Sequence, residues 1–199
     1  MRRSTRRSTS GDERGRECGR ECGLIQAAQA GDKEAFAELV RRYQGRIYNM
    51  ALRMAGDPQT AADLAQESFL RAYAALPRFD VTRPLAPWLY KITTNLCRNW
   101  LARRRLPTES LDEPVPREVP DESLEPGRLV ERRELADRIR REIAKLPLEH
   151  RLVVELRHFG GLSYDEIART LDIPLSDVKS RLFRGRRKLR ERLRDVWNT

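Results

Sequence analysis

Residues 161–187 read Gly161-Leu162-Ser163-Tyr164-Asp165-Glu166-Ile167-Ala168-Arg169-Thr170-Leu171-Asp172-Ile173-Pro174-Leu175-Ser176-Asp177-Val178-Lys179-Ser180-Arg181-Leu182-Phe183-Arg184-Gly185-Arg186-Arg187. Ser163 with Glu166 three residues on has the form of a capping box, which ties two orphan backbone donors at a helix start. It predicts a helix over 164–171 with Ile167, Ala168 and Leu171 buried. Asp172-Ile173-Pro174 is a tight connector, with Ile173 as an apolar plug between helices. Ser176 is the predicted cap of a final helix from Asp177 to about Arg194. A short helix, a tight turn and a second helix make a helix-turn-helix.

The final helix resolves into two stripes at about 100° per residue. Val178, Leu182, Gly185, Leu189 and Leu193 share the predicted buried stripe. Ser176, Lys179, Ser180, Phe183, Arg184, Arg187 and Arg190 share the opposite one. Residues 176–194 carry nine basic and two acidic side chains. A merely solvated face disperses both signs and does not expose Phe183 among arginines. A helix that reads duplex DNA needs this mixture: cations for phosphates and guanine edges, and an apolar group for a thymine methyl.

Upstream, residues 129–143 predict a charged helix on Leu135, Ile139 and Ile143. Residues 149–159 predict another, with Leu152, Val153, Leu156 and Phe159 inward and Gly160-Gly161 as its stop. Together, 127–199 form one small helical domain. Residues 106–126 differ in kind, with seven acidic residues, one basic residue and five of the chain's eleven prolines. Proline blocks helix continuation and like charges repel, so this is an acidic, extended linker. It separates the second domain from a first at 24–105. Residues 1–23 hold almost nothing apolar and are expected to form a disordered basic tail. Cys18 and Cys22 lie there at a spacing that suits neither zinc nor redox motifs, and read as free thiols.

The first domain also reads as helix throughout. Phe36, Leu39, Val40, Tyr43, Ile47, Tyr48 and Ala51 recur at helical steps over 33–51. Gly56-Asp57-Pro58 breaks that helix; Asp57 caps the next, and Pro58 fits its first turn. Residues 61–76 follow, with Ala62, Ala65, Phe69 and either Ala72 or Tyr73 inward. Asp63, Gln66, Glu67 and Arg71 form a polar patch on that helix, either a solvated face or a protein-docking surface. A proline-punctuated loop, 77–87, leads to a helix over 88–105 with Trp88, Leu89, Ile92 and Leu96 on one side. Its other side presents Lys91, Asn95, Arg98 and Asn99, then Arg103 and Arg104. Amides bond base edges and guanidiniums neutralise phosphates, so the helix has nucleic-acid character.

The class is therefore all-α, with two small helical domains joined by an acidic linker. The longest uncharged run, 22–31, is ten residues, far short of the roughly 18 that suggest a membrane span. No secretory signal peptide is visible. Three cysteines in such a chain point to a reducing, cytoplasmic setting. No phosphate-cradling glycine loop, metal-spaced His/Cys set or nucleophile constellation is present, so no metal, cofactor or catalytic residue is expected. Cys97 reads as a small residue packed in a helical core, and His150 and His158 as ordinary helix residues.

Three stretches carry a resemblance: Asp63-Leu-Ala-Gln-Glu-Ser-Phe-Leu-Arg-Ala-Tyr73, Trp88-Leu-Tyr-Lys-Ile-Thr-Thr-Asn-Leu-Cys-Arg-Asn-Trp100, and Leu146-Pro147 through Gly185-Arg186. In this order, around an acidic linker, they resemble the sigma-70 family of bacterial RNA polymerase initiation factors, in its extracytoplasmic-function (ECF) group. The resemblance implies that Asp63, Gln66, Glu67 and Arg71 dock on the clamp of the β′ subunit of core RNA polymerase. It implies that the loop 79–86 and Trp88, Lys91, Asn95, Arg98, Asn99, Arg103 and Arg104 melt and read the −10 promoter element. There a flipped base trades lost stacking and pairing for aromatic and amide groups. Leu85 stands where the family usually has Phe, which leaves the captured base undefined. Ser176, Lys179, Ser180, Phe183, Arg184 and Arg187 match the −35 reader. The flap of the β subunit, promoter DNA and an anti-sigma factor are the other implied partners, and the linker matches the segment threaded through the polymerase cleft. An autonomous helix-turn-helix regulator explains only the second domain. A recombinase or nuclease requires a nucleophile or carboxylate cluster that 24–105 does not offer.

Overall fold

The computed structural model describes the backbone of residues 9–104, 135 and 138–194, and within these the side chains from Gly19 onward. These residues form eight helices, with a 3-10 turn between the third and fourth and no strand among them: α1 Thr9–Gln29, α2 Lys33–Ala55, α3 Pro58–Ala75, the turn Leu76–Arg78, α4 Leu85–Arg104, α5 138–144, α6 Leu148–His158, α7 Tyr164–Leu171 and α8 Leu175–Arg192. The acidic linker 106–126 and residues 1–8 lie outside the described residues.

Local chemistry sets most boundaries. The Asp32 carboxylate accepts from the backbone of Glu34 at 2.9 Å and Ala35 at 3.1 Å, starting α2. Gly56, at φ 79°, closes it in the left-handed region that glycine tolerates. Asp57 caps α3 through Thr60 N at 2.6 Å, and Pro58 is the first residue of that helix. The Ser163–Glu166 capping box forms at α7 as its spacing requires.

Five expectations are corrected. The tail expected to be disordered over 1–23 is helical from Thr9, because α1 docks Ile25 and Ala28 onto α2 and the turn after α3. On α3 the inward face is Ala61, Leu64, Ala65, Ser68 and Ala72, while Ala62 and Tyr73 are exposed. Helix α4 begins at Leu85 rather than Trp88. Pro87 falls in its first turn, where a missing N–H costs no helical bond. Phe159 lies past the end of α6 and is 42% exposed. Helix α8 starts at Leu175 after Pro174, so Ser176 belongs to its first turn and is not the cap. A smaller adjustment concerns α7, where Thr170 is buried and Ala168 only half-buried.

Helices α1–α4 form one bundle and α5–α8 a second, and the two pack against each other with α7 on α4. Their junction is polar at its centre. Arg53, in the last turn of α2, donates from Nε to Glu155 Oε2 of α6 at 2.7 Å and makes a second contact through Nη2 to Oε1. These side chains are only 7% and 2% exposed. The Arg53 guanidinium also lies 4.1 Å from the Phe159 ring centroid, which explains that ring's position. Arg151 of α6 gathers carbonyls at two helix ends: Met54 O at 3.3 Å, Leu146 O at 3.2 Å, and Ala144 O. Such end carbonyls have no intrahelical partner, and a guanidinium supplies several donors at once.

Breaking a buried pair from one side costs more than replacing both partners. Arg53→Met is expected to destabilise the folded chain by about 3 kcal/mol, and the Arg53→Met/Glu155→Leu double variant by clearly less. Urea unfolding of both variants checks this.

Candidate nucleic-acid interface

Helix α8 has the division of faces that its periodicity predicts. Val178, Leu182 and Gly185 are buried and Leu189 half-buried. Ser176, Lys179, Ser180, Phe183, Arg184, Arg187 and Arg190 are all exposed, Phe183 at 66%. A Cβ on Gly185 would stand 3.0 Å from Val154 Cγ2, so the missing side chain lets α8 lie close on α6. An exposed phenylalanine between cations has no packing role within the chain. It suits an apolar contact on a polyanion.

The flanks of α8 hold a second set of arginines with internal partners. Arg181 pairs with Glu149 and stands 3.7 Å from Asp177. Arg186 donates to His158 Nε2 at 3.3 Å, and Arg192 lies 3.8 Å from Glu142. Burial first, then the cations Lys188, Arg184 and Arg181, push the His150 imidazole below its usual range. Burial first, then Arg186 and Arg157, do the same at His158. At both rings burial and the nearby cations disfavour the protonated form.

On α4, Lys91, Asn95 and Asn99 follow one another at four-residue steps and are exposed, and Arg103 and Arg104 are exposed at its end. Three members of the predicted set are engaged within the chain. Trp88 is half-buried against Phe79, with ring centroids 4.7 Å apart. Arg98 is 3.6 Å from Glu149 of α6, across the junction between the bundles. Arg104 lies over the Trp100 ring at 5.3 Å. Leu85 is 2% exposed, so it stabilises the start of α4 and presents nothing to a ligand. Cys97 is fully buried, and burial pushes its thiol up to about 12. Among the described residues no group of three or more His, Cys, Asp or Glu could hold a metal ion. No described helix is long and apolar enough to cross a membrane.

The α3 patch contains a residue that the sequence reading missed. Asp63, Gln66 and Arg71 are exposed, Glu67 is half-buried, and Glu67 accepts from Arg71 at 2.7 Å. Leu70 is 57% exposed and lies three, four and seven residues from Glu67, Gln66 and Asp63, on the same face. That spacing was the available signal: a leucine in register with a polar stripe, off the buried one. The second bundle also carries a groove of about 870 Å³, walled by Ile139, Ile143, Phe159, Leu189 and Leu193 with Arg186 and Arg190 on its rim.

The family profile Sigma-70 region 2 matches residues 39–106, and Sigma-70, region 4 matches 136–189. The ECF RNA polymerase sigma factor SigW of Bacillus subtilis is 37% identical over 180 residues, covering 86% of this chain and 96% of that protein. The chain belongs to the ECF group of the sigma-70 family. The RNA polymerase sigma-H factor of Pseudomonas aeruginosa is 37% identical over 180 residues, covering 87% of this chain and 93% of its own length. The solved structure of CnrH in complex with the cytosolic domain of CnrY has a TM-score of 0.67 at 27% identity and covers 88% of this chain and 98% of that one. The Bartonella quintana sigma factor RpoE, solved with the anti-sigma factor NepR, shares the fold with a TM-score of 0.64 at 20% identity, over 80% and 96% of the two chains. This sigma factor is thus an RNA polymerase initiation subunit that recognises promoter DNA.

Two measurements test the site's chemistry. A base whose folded pKa is depressed binds fewer protons folded than unfolded, so its stability contribution is complete above the unfolded value of 6.5 and is lost as pH falls below it. Unfolding free energy is therefore expected to drop between pH 7.5 and 5.5, and a His150→Gln/His158→Gln variant to flatten that slope. A thiol reagent at neutral pH is expected to label half-buried Cys22 in the native protein and to reach Cys97 only on unfolding.

Proposed function

We propose a residue-level division of labour for this ECF sigma factor. Helix α8 reads the −35 duplex through Ser176, Lys179, Ser180, Phe183, Arg184 and Arg187. Helix α4 and the loop before it hold the unpaired −10 strand. Asn95 supplies the amide that replaces lost base pairing, Trp88 braces the loop through Phe79, and Lys91, Asn99, Arg103 and Arg104 neutralise phosphates. Arg98 joins them only when it leaves Glu149. The α3 face of Asp63, Gln66, Leu70, Glu67 and Arg71 docks on the clamp of the β′ subunit. The apolar groove behind α8 is the surface for the β flap or, competitively, for an anti-sigma factor. Two of the solved relatives are held in complexes with other proteins.

The observation that carries this reading is the exposed run of Lys179, Ser180, Phe183, Arg184 and Arg187 on the second helix of a helix-turn-helix. Catalysis belongs to the polymerase: promoter melting is driven by binding energy for unpaired DNA, and the chain works in the cytoplasm without a cofactor. The linker 106–126, which lies outside the described residues, is assigned to the polymerase cleft, where its acidity stands in for RNA until a transcript displaces it.

Run-off transcription with sigma-free core polymerase and a genomic library tests the whole. Promoter-specific transcripts are expected; tight sequence-specific DNA binding without polymerase, and no transcripts, would sink the reading. Arg184→Ala is expected to cost about 1–3 kcal/mol at the −35 element by quantitative footprinting. Gln66→Ala/Glu67→Ala is expected to weaken polymerase binding and leave −35 contacts unchanged.

A further inference from the structure

The segment from Leu76 to Pro84 has few means of holding its own shape. Its internal backbone bonds are Phe79 N to Leu76 O at 2.9 Å and Arg83 N to Asp80 O at 3.0 Å. Asp80 Oδ1 adds bonds from Thr82 N at 3.0 Å and Thr82 Oγ1 at 2.7 Å. Pro77 and Pro84 donate nothing. Arg83 also lies 3.2 Å from Asp80. Three carbonyls of the segment face side chains of α1 instead. Gln29 Nε2 donates to Leu76 O at 2.9 Å and to Phe79 O at 2.8 Å, using both hydrogens of its amide. Cys22 Sγ approaches Val81 O at 3.9 Å. Glu21 Oε1 accepts from Leu85 N, the first residue of α4, at 3.4 Å.

Glu21 is itself fixed. Its other oxygen accepts from Tyr43 OH at 2.7 Å and faces Arg42 at 3.5 Å. The carboxylate therefore stands as a cap, supplied by another helix, at the positive end of α4. Glu21, Cys22 and Gln29 share one face of α1 with buried Ile25. Both feet of the loop are thus pinned to α1, while Thr82, Arg83 and Pro84 stay exposed at its tip. The region 2 profile begins at residue 39, so α1 lies upstream of it.

We infer that α1 is the positioning element of the −10 loop, with Gln29 and Glu21 as the residues that set its shape and hence its base preference. The inference rests on the assignment of this loop to the −10 strand. Its mechanism is geometric. A loop with few internal bonds takes its conformation from whatever satisfies its carbonyls; without the Gln29 amide, Phe79 O loses that donor and Leu76 O keeps only Phe79 N. The tip then presents its acceptors and donors at different positions to an extruded base.

The test uses the full chain with core polymerase on promoters varied at each −10 position. Readouts are single-round transcription and fluorescence of 2-aminopurine in the melted strand. Gln29→Met, which keeps the bulk and removes both donors, is expected to slow melting about tenfold and reorder the −10 preferences, with polymerase affinity and −35 dependence held within about twofold. Glu21→Leu is expected to behave the same way. Glu21→Gln, which retains an acceptor for Leu85 N, is expected to keep the wild-type ranking. A wild-type −10 ranking in both Gln29→Met and Glu21→Leu overturns the inference, whether output is full or uniformly reduced. If only one of the two folds, its ranking decides. A wild-type chain that gives no promoter-dependent transcripts overturns the −10 assignment itself, and this inference with it.

Discussion

The buried pair of Arg53 and Glu155 is the constraint on which the arrangement of the two bundles depends. A guanidinium and a carboxylate removed from water each lose several kcal/mol of hydration, and only close, doubly contacted geometry recovers it. Here the fork meets both carboxylate oxygens, and the Phe159 ring covers one face of the guanidinium. An apolar junction of similar size would tolerate sliding; this one tolerates little. It fixes the last turn of α2 against the middle of α6. Arg151 tightens the same place by taking carbonyls from both bundles. The packing of α7 on α4 follows from that register.

The register decides which functional groups remain available. Lys91, Asn95 and Asn99 stay open on α4, whereas Arg98 is drawn to Glu149. Glu149 also holds Arg181 of α8, so one carboxylate restrains a cation on each of α4 and α8. The DNA role proposed for Arg98 requires that contact to be released. It is a partly exposed ion pair, and such pairs hold weakly.

What was legible in the sequence was whatever local chemistry decides. The capping box at Ser163, the Gly56-Asp57-Pro58 break and the two stripes of α8 each depend on residues within one or two turns, and each forms. The misread elements depend on distant neighbours or on weak contrast. Helix α3 is alanine-rich, and alanine suits either face, so periodicity places Ala65 and Ala72 inward correctly but also Ala62, which is exposed. Phe159 reads as inward because it is large and apolar; its actual partner, Arg53, lies on α2. Arg53 and Glu155 are 102 positions apart, and nothing local marks either as buried. The N-terminal segment looked too polar to order, but its helix docks through a few residues near its end, Ile25 and Ala28 among them. At the sites, the α8 face was readable because charge and period coincide. Leu70 was not, because an exposed leucine and a buried one look alike in a sequence.

The formal charge of +10 takes on a different meaning once the side chains are placed. Residues 176–194 carry nine cations, yet Arg181, Arg186 and Arg192 have partners inside the chain. They tie α8 to α6 and α5, although Arg186 and Arg192 remain exposed. Lys179, Arg184, Arg187 and Arg190 make up the exposed stripe, with Phe183 among them. Counterion release scales with the phosphates neutralised and not with the cations present. In the proposed −35 role, the salt dependence of this helix on DNA follows the smaller group on the exposed stripe. The arginines with partners on α5 and α6 instead fix the angle at which that group is presented, together with the close approach that Gly185 permits. Charge within one helix is thus divided between cations with partners on α5 and α6, which answer to the fold, and an exposed stripe to which the proposed reading role falls.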